Sequence, residues 1–295
     1  MRRKIVLSAF FMLCSLSVQA QSVPQSTTCT SKFDQTNIEP DNDELLIKAI
    51  ESGELGEVIR LLEAGADPNA TRDDDSALIV AVGLNRADIA EVLLERGAKV
   101  DLEAEDDRSA LQTAAASGRA NLVKLLIAHG ADVNHMDHDG HPPLWLAVMG
   151  SMIRNTPAWL LRSYFEMDDD DKTMKGMGNE HLESARLLIQ AGAKVNGPAT
   201  EDGTVLMSAA MFGNVEMTRL LLENHADPNE SNGDDGDGNT ALKLAEEYDS
   251  PEELAEQLGH QDSVEKKQAL LDWVHFSAAG RKAVAAMLRK AGATH

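Results

Sequence analysis

The feature that most restricts this chain is self-similarity. The run Leu61-Leu62-Glu63-Ala64-Gly65-Ala66-Asp67 returns as Leu93-Leu94-Glu95-Arg96-Gly97-Ala98-Lys99 and as Leu126-Ile127-Ala128-His129-Gly130-Ala131-Asp132. It returns again as Leu188-Ile189-Gln190-Ala191-Gly192-Ala193-Lys194, as Leu221-Leu222-Glu223-Asn224-His225-Ala226-Asp227 and, near the C-terminus, as Leu288-Arg289-Lys290-Ala291-Gly292-Ala293. The marker positions 65, 97, 130, 192, 225 and 292 are spaced by 32, 33, 62, 33 and 67 residues. A fixed period of this size means that one small unit is copied. Each copy is too small to bury its own apolar face and must stack on its neighbours.

A second marker, the apolar residue opening a short helix, recurs at Leu45, Leu78, Leu111, Leu144, Leu206 and Leu242. A turn residue follows it at Gly53, Asn85, Gly118 and Gly213. Each unit therefore reads as helix, tight turn, helix and long hairpin-like loop. N-caps are expected at Asp43, Ser76, Ser109, Thr204 and Thr240, because a short side-chain oxygen there accepts a free first-turn N–H. The first helices are rich in alanine (Ala81, Ala114, Ala115, Ala147, Ala209, Ala210 and Ala245), which allows close helix approach. The second helices carry the Leu pairs of the core and end on glycine, suited to a left-handed cap. His225 breaks that rule and is expected to lower stability. The long intervals place one insertion after a turn at Ser151, over about residues 152–180. The other follows a turn at Asp249, over about 250–280, with the repeat resuming at Gly280.

These units resemble the ankyrin repeat over about residues 43–293, the insertions apart. The family's Thr-Pro-Leu-His signature survives in part, as Ser76-Ala77-Leu78-Ile79, Ser109-Ala110-Leu111-Gln112, Pro142-Pro143-Leu144-Trp145, Thr204-Val205-Leu206-Met207 and Thr240-Ala241-Leu242-Lys243. None keeps the histidine, whose hydrogen bonds tie repeats together, so the resemblance implies a less stable stack. It also implies an all-α ankyrin-repeat solenoid of about six helix-pair repeats with long hairpin loops and two helical insertions. The first and sixth units are read as caps, as solenoids require.

The N-terminus reads differently. Met1-Arg2-Arg3-Lys4 and an apolar run to Leu16, followed by Val18-Gln19-Ala20, have the layout of a secretory signal, with cleavage expected after Ala20. The run is shorter than the ~20 apolar residues that span a bilayer. Residues 21–42 read as a flexible leader containing Cys29, and 43–295 as the repeat domain. A periplasmic or secreted location is expected, without membrane insertion after cleavage.

Charge narrows the partner. The chain carries 27 Lys+Arg against 49 Asp+Glu, and residues 1–20 hold three of those bases and no acid. The remainder, 24 bases against 49 acids, argues against nucleic acid, because phosphate binding needs cationic excess. What the resemblance implies is binding of another protein, through hairpin tips and the inner face of the first helices. The tip residues are Asp73, Asp74, Asp106, Asp107, Asp139, Gly140, Glu201, Asp202, Asp237 and Gly238, with Asp75, Glu103, Glu105, Asp234 and Asp235 close by. An acidic row of this kind steers a basic partner. The inner positions include Met149, Met211 and Phe212, apolar where solvent is expected. The first insertion adds an aromatic helix with Trp159, Tyr164 and Phe165. With Trp145 these make four of the nine aromatics that follow residue 20, a composition that suits an interface anchor. A non-enzymatic, exported protein-binding module is expected. Exported bacterial proteins similar to this one include immunity proteins that mask a toxic enzyme and accessories that support a periplasmic catalase.

Chemistry is sparse. His129, His135, His138 and His141 surround one hairpin, but their spacing fits no standard zinc pattern and cysteine ligands are missing. The run Asp234-Asp235-Gly236-Asp237-Gly238 hints at a calcium loop, yet Leu244 stands where an EF-hand needs its twelfth-position glutamate. There is no phosphate-cradling loop and no nucleophile elbow. No metal, cofactor or catalytic residue is expected.

Overall fold

The computed structural model describes residues 41–73, 75–104, 107–155, 180–197, 203–232, 238–246 and 264–294; among these, the side chains of 152–155 and 264–276 are not described. Helices come in pairs: α1 (Asn42–Ser52) with α2 (Leu55–Glu63), α3 (Ala77–Gly83) with α4 (Ala87–Glu95), and α5 (Ala110–Ala116) with α6 (Ala120–Ala128). They continue as α7 (Pro143–Asn155) with α8 (His181–Gln190), α9 (Val205–Met211) with α10 (Val215–Glu223), then α11 (Ala241–Glu246) and α12 (Val264–Lys290). Helices of seven to nine residues are too short to persist alone. Their stability comes from stacking.

The local signals explain the boundaries. Ser76, Ser109 and Thr204 accept the backbone N–H of the residue three positions on, and Thr240 accepts that of Lys243. In unit three the box is complete, since the Ser109 N–H donates to Oε1 of Gln112. Asp43 is not an N-cap: α1 begins one residue earlier, at Asn42, and Asp43 Oδ1 instead accepts the Asp67 N–H at 2.7 Å. The tight turns take left-handed φ values at Gly53 (73°), Asn85 (58°), Gly118 (61°) and Gly213 (66°). His225 does adopt the strained left-handed cap, at φ 67°.

The core is a column of leucines. Leu61, Leu93, Leu126, Leu188, Leu221 and Leu288 from the second helices are all buried, as are Leu78, Leu111, Leu144, Leu206 and Leu242 from the first. Burying each contributes about 1.5–3 kcal/mol before entropy is set against it. Buried Ala81, Ala114, Ala147, Ala209 and Ala245 let the first helices lie close together. Between α2 and α3 the loop pairs Thr71–Arg72 (β1) with Asp75–Ser76 (β2), antiparallel. A single antiparallel bridge, Ser231 to Thr240, marks the corresponding loop of unit five.

Two sets of polar contacts hold consecutive units in register. One is a ladder. Oδ1 of Asn69, Asn134, Asn196 and Asn229 accepts the backbone N–H of Lys99, Lys194, Asp227 and Thr294 respectively, at 2.8–2.9 Å. Asp101 fills the remaining rung, accepting the Asp132 N–H at 3.2 Å. The second set caps the first helices from behind. Arg119 donates Nη1 to the carbonyls of Val82 and Gly83, at the end of α3. His181 Nε2 lies 3.2 Å from the Ala116 carbonyl at the end of α5, and Asn214 donates to Ser151 Oγ at 2.9 Å. The rungs from Asn134 to Lys194 and from Asn229 to Thr294 step across both insertions. The stack therefore stays in register although the chain makes detours.

The insertions are entered differently from expectation. Ser151 holds no turn; α7 runs through it to Asn155. The neighbouring units break at a residue able to turn left-handed, Gly or Asn, and Ser151-Met152-Ile153-Arg154 contains neither. At the far end, Gly280 does not restart a helix. It lies inside the 27-residue α12, which joins the end of the second insertion to the second helix of unit six. The signal segment, the leader as far as residue 40 with Cys29, and the turn at Asp249 lie outside the described residues; the last leader position, Asn42, already belongs to α1.

Candidate protein-binding surface

The hairpin tips are set by backbone chirality. Gly140, Gly203 and Gly238 take φ values of 81°, 89° and 62°, and at the corresponding tips Asp73 and Asp107 take 50° and 56°. A non-glycine residue there is strained by about 1–2 kcal/mol, least for Asp and Asn. Asp73 points into solvent, its side chain 93% exposed. Asp107 and Asp139 are exposed too. Asp74, Asp106, Glu201, Asp202 and Asp237 lie outside the described residues.

Not every acid near the tips adds to that row. Asp75 faces the buried Arg108 of the next unit at 3.5 Å, and Glu51 is paired with Arg72. These carboxylates are internal ties between units. Glu103 lies 3.6 Å from His135 Nε2, and Asp107 lies 3.8 Å from His138 Nδ1. His135 Nε2 is also 2.7 Å from the Asp107 carbonyl. Among the described residues no three His, Cys, Asp or Glu side chains converge as metal ligands would.

Beneath the third tip, at Asp139-Gly140, the polar groups are buried. The Asp137 carboxylate accepts the backbone N–H of His141 (2.8 Å) and of Asp139 (3.1 Å). His141 Nδ1 lies 3.7 Å away, and both side chains are fully buried. Burial pushes the Asp137 carboxyl above its ordinary range, against the pull of the His141 N–H and ring. Gln112 Nε2 donates to the His141 carbonyl at 2.8 Å. Gln112 thus stands where the family carries histidine and supplies a tie between units three and four. The expected weakness does not apply at that joint.

The inner face corrects two expectations. Trp145 is 1% exposed and Met149 0% exposed, so neither can meet a partner. Trp145 stacks on the His141 ring, centroids 3.8 Å apart and planes 15° from parallel. Met149 is sealed in because α7 lies directly against α5. A Cβ on the adjacent Gly150 would sit 2.2 Å from the Ala116 carbonyl oxygen and 2.6 Å from His181 Nε2. Met211 and Phe212 are half-buried, as is Leu84 three units earlier. Trp159, Tyr164 and Phe165 lie outside the described residues.

The row of polar side chains behind the first helices was missed at the level of sequence, although it had a signal. Arg86, Arg119, His181 and Arg281 each stand eleven residues before a second-helix terminal glycine, and Asn214 stands eleven before His225. The physical cause is the negative end of the preceding short helix, which a donor or cation stabilises. Arg119 is the most enclosed arginine of the set, and burial draws its guanidinium down to about 10.

Stacked helix pairs, left-handed turns at a fixed offset and interlocking side-chain rungs define the chain as a helical-repeat solenoid with projecting hairpins. The model of the family "Ankyrin repeats (3 copies)" matches residues 12–104, 98–171 and 174–268, and the chain belongs to the ankyrin-repeat family. It is 27% identical over 208 residues to Protein glp-1 of Caenorhabditis elegans, which covers 64% of this chain and 13% of that one. It is 38% identical over 65 residues to Ankyrin repeat and KH domain-containing protein mask-1 of the same species, covering 22% of this chain and 2% of the other. Identity to ZDHHC13 of Danio rerio, named as a palmitoyltransferase, is 30% over 217 residues, covering 70% of this chain and 33% of that protein. The chain thus spans a third or less of each of these relatives. Ankyrin repeats generally mediate protein–protein binding. Among the described residues no helix is long and apolar enough to cross a membrane.

Proposed function

We propose that this chain is a non-enzymatic platform that binds a protein with a basic surface through its row of hairpin tips. The observation that carries this reading is the strained aspartate at two tips. Where glycine would sit without penalty, Asp73 and Asp107 hold left-handed backbone and present carboxylates outward. Placing charge at a conformational cost suits a surface kept for recognition. The ladder below the tips fixes their spacing, so the partner meets a preformed array and little ordering entropy is lost on binding. The half-buried Leu84, Met211 and Phe212 offer apolar contact on the inner face.

The reading includes export: cleavage after Ala20 delivers the platform to a periplasmic or extracellular space. A basic effector enzyme masked by the acidic row is one occupant this chemistry suits. The test is capture of partners from the native envelope fraction, followed by stopped-flow association with the captured protein across a salt series. Wild type should associate fast at low salt and slow steeply as salt rises, whereas Asp73→Asn with Asp107→Asn should flatten that dependence with helical circular dichroism unchanged. An identical salt slope in the variant refutes steering by the tips. Recovery of the mature chain with an N-terminus other than Gln21 refutes the cleavage site.

A further inference from the structure

The ladder residues are followed in sequence by Ala70, Leu102, His135, Gly197 and Glu230. Only the rung at Asn196 precedes glycine. We propose that Asn196 is a site of spontaneous deamidation, and that this modification loosens the joint between units four and five.

The chemistry balances without any added oxidant. The Gly197 backbone nitrogen, on losing its proton, attacks Cγ of Asn196; a C–N bond forms and Nδ2 leaves as ammonia. Water then opens the resulting five-membered imide at either carbonyl, giving aspartate or isoaspartate. Attack is limited by bulk on the following residue, and here there is none. Gly197 has no side chain, and among the described residues, its chain neighbours apart, no atom lies within 4 Å of the place its Cβ would occupy. Asn196 is exposed. Its Oδ1 already accepts the Asp227 N–H at 2.9 Å, a donor placed to stabilise the oxyanion that forms during attack.

The consequence can be read from the same molecule. Asn196 makes two contacts to unit five: Oδ1 takes the Asp227 N–H, and Nδ2 donates to the His225 carbonyl at 2.8 Å. Asp101, the carboxylate rung, shows what one product would keep. It accepts the Asp132 N–H through its two oxygens at 3.2 and 3.3 Å, a looser hold, and a carboxylate has no N–H to give. After deamidation, residue 196 would turn a carboxylate oxygen toward the His225 carbonyl in place of a donor. His225 is the one second-helix terminus where a side-chain-bearing residue is held left-handed. The lost bond and the backbone strain therefore meet at one joint. Isoaspartate, with an extra methylene in the backbone, would lose both contacts.

The test is to age the full chain in mildly alkaline buffer and map its peptides by mass spectrometry with fragmentation that separates aspartate from isoaspartate. Hydrogen exchange is followed on the same samples. Asn196 should convert ahead of Asn69, Asn134 and Asn229, with protection in α10 falling as it does. Gly197→Ala, whose φ lies outside the left-handed region, should fold normally and lose the fast conversion. Asn196→Asp should reproduce the loss of protection without ageing. Conversion at Asn196 no faster than at Asn69 overturns the proposed site. Conversion with unchanged protection of α10 overturns the proposed effect.

Discussion

Gly280→Ala sets two physical effects of opposite sign against each other. Gly280 lies well inside α12, and in an exposed helix interior the change would stabilise by about 1 kcal/mol through propensity alone. Here the new Cβ would lie 2.3 Å from the Gly213 carbonyl oxygen and 3.1 Å from its carbon. Carbon-to-oxygen approach is ordinarily limited to about 3.3 Å, so α12 must withdraw by about an ångström at that point. Both colliding groups are backbone, and no rotamer relieves them. Overpacking of this kind costs about 1–3 kcal/mol, and the net result should be destabilisation by up to ~2 kcal/mol. The same helix leads to Gly292 and Thr294, which Asn229 holds, so the last rung should loosen as well. Urea unfolding followed by circular dichroism gives the sign, and hydrogen exchange at α10 and the end of α12 gives the location. Ala283→Gly, at an exposed site of the same helix, is the control and should lose about 1 kcal/mol. A stabilised Gly280→Ala would refute the close approach of α12 to the Gly213 turn.

Three further outcomes follow from particular residues. His225→Gly should stabilise by about 0.5–1 kcal/mol, the relief of left-handed strain less the added freedom of the unfolded chain; an unchanged or lower unfolding midpoint refutes the strain. Trp145→Ala should lower stability by about 3–5 kcal/mol, while Trp145→Phe should lose far less, because the buried indole N–H has no hydrogen-bond partner among the described residues; equal losses would contradict its place in the core. Asp137 should oppose the usual carboxylate trend. Its folded-state carboxyl lies above the ordinary 3.8, so between those values the folded state binds more protons, and its contribution falls as pH rises through the folded value. Relative to Asp137→Asn, wild type should therefore gain stability between about pH 7 and about pH 4, measured by paired urea titrations, and a relative loss would contradict the direction.

Much of this architecture is legible in the chain itself. The Leu-Leu-x-x-Gly-Ala spacing locates the second helices, and Ser76, Ser109, Thr204 and Thr240 locate four starts. Gly53, Asn85, Gly118 and Gly213 locate the tight turns. Each of these acts within one or two turns of helix, so a short window suffices to read it. The tips Asp73, Asp107 and Asp139 were legible for the same reason: a hairpin end is a local object, and its residues face solvent. The expectation failed where the answer depends on a neighbour far along the chain. Ser151 sits at the turn position, but nothing there ends the helix. Trp145 and Met149 look like surface residues beside variable positions, yet Gly150 lets α7 press onto α5 and closes over them.

The sequence by itself determined the repeat, its six copies and their leucine core, because period and capping are fixed by residues a few positions apart. Only the tertiary structure decided which acids face solvent and which tie units together, which aromatic rings are buried, and that the rungs from Asn134 and Asn229 carry the register across both insertions. Those outcomes rest on contacts between groups as much as 65 residues apart, and such distances are set by how close two backbones can approach, which no local pattern records.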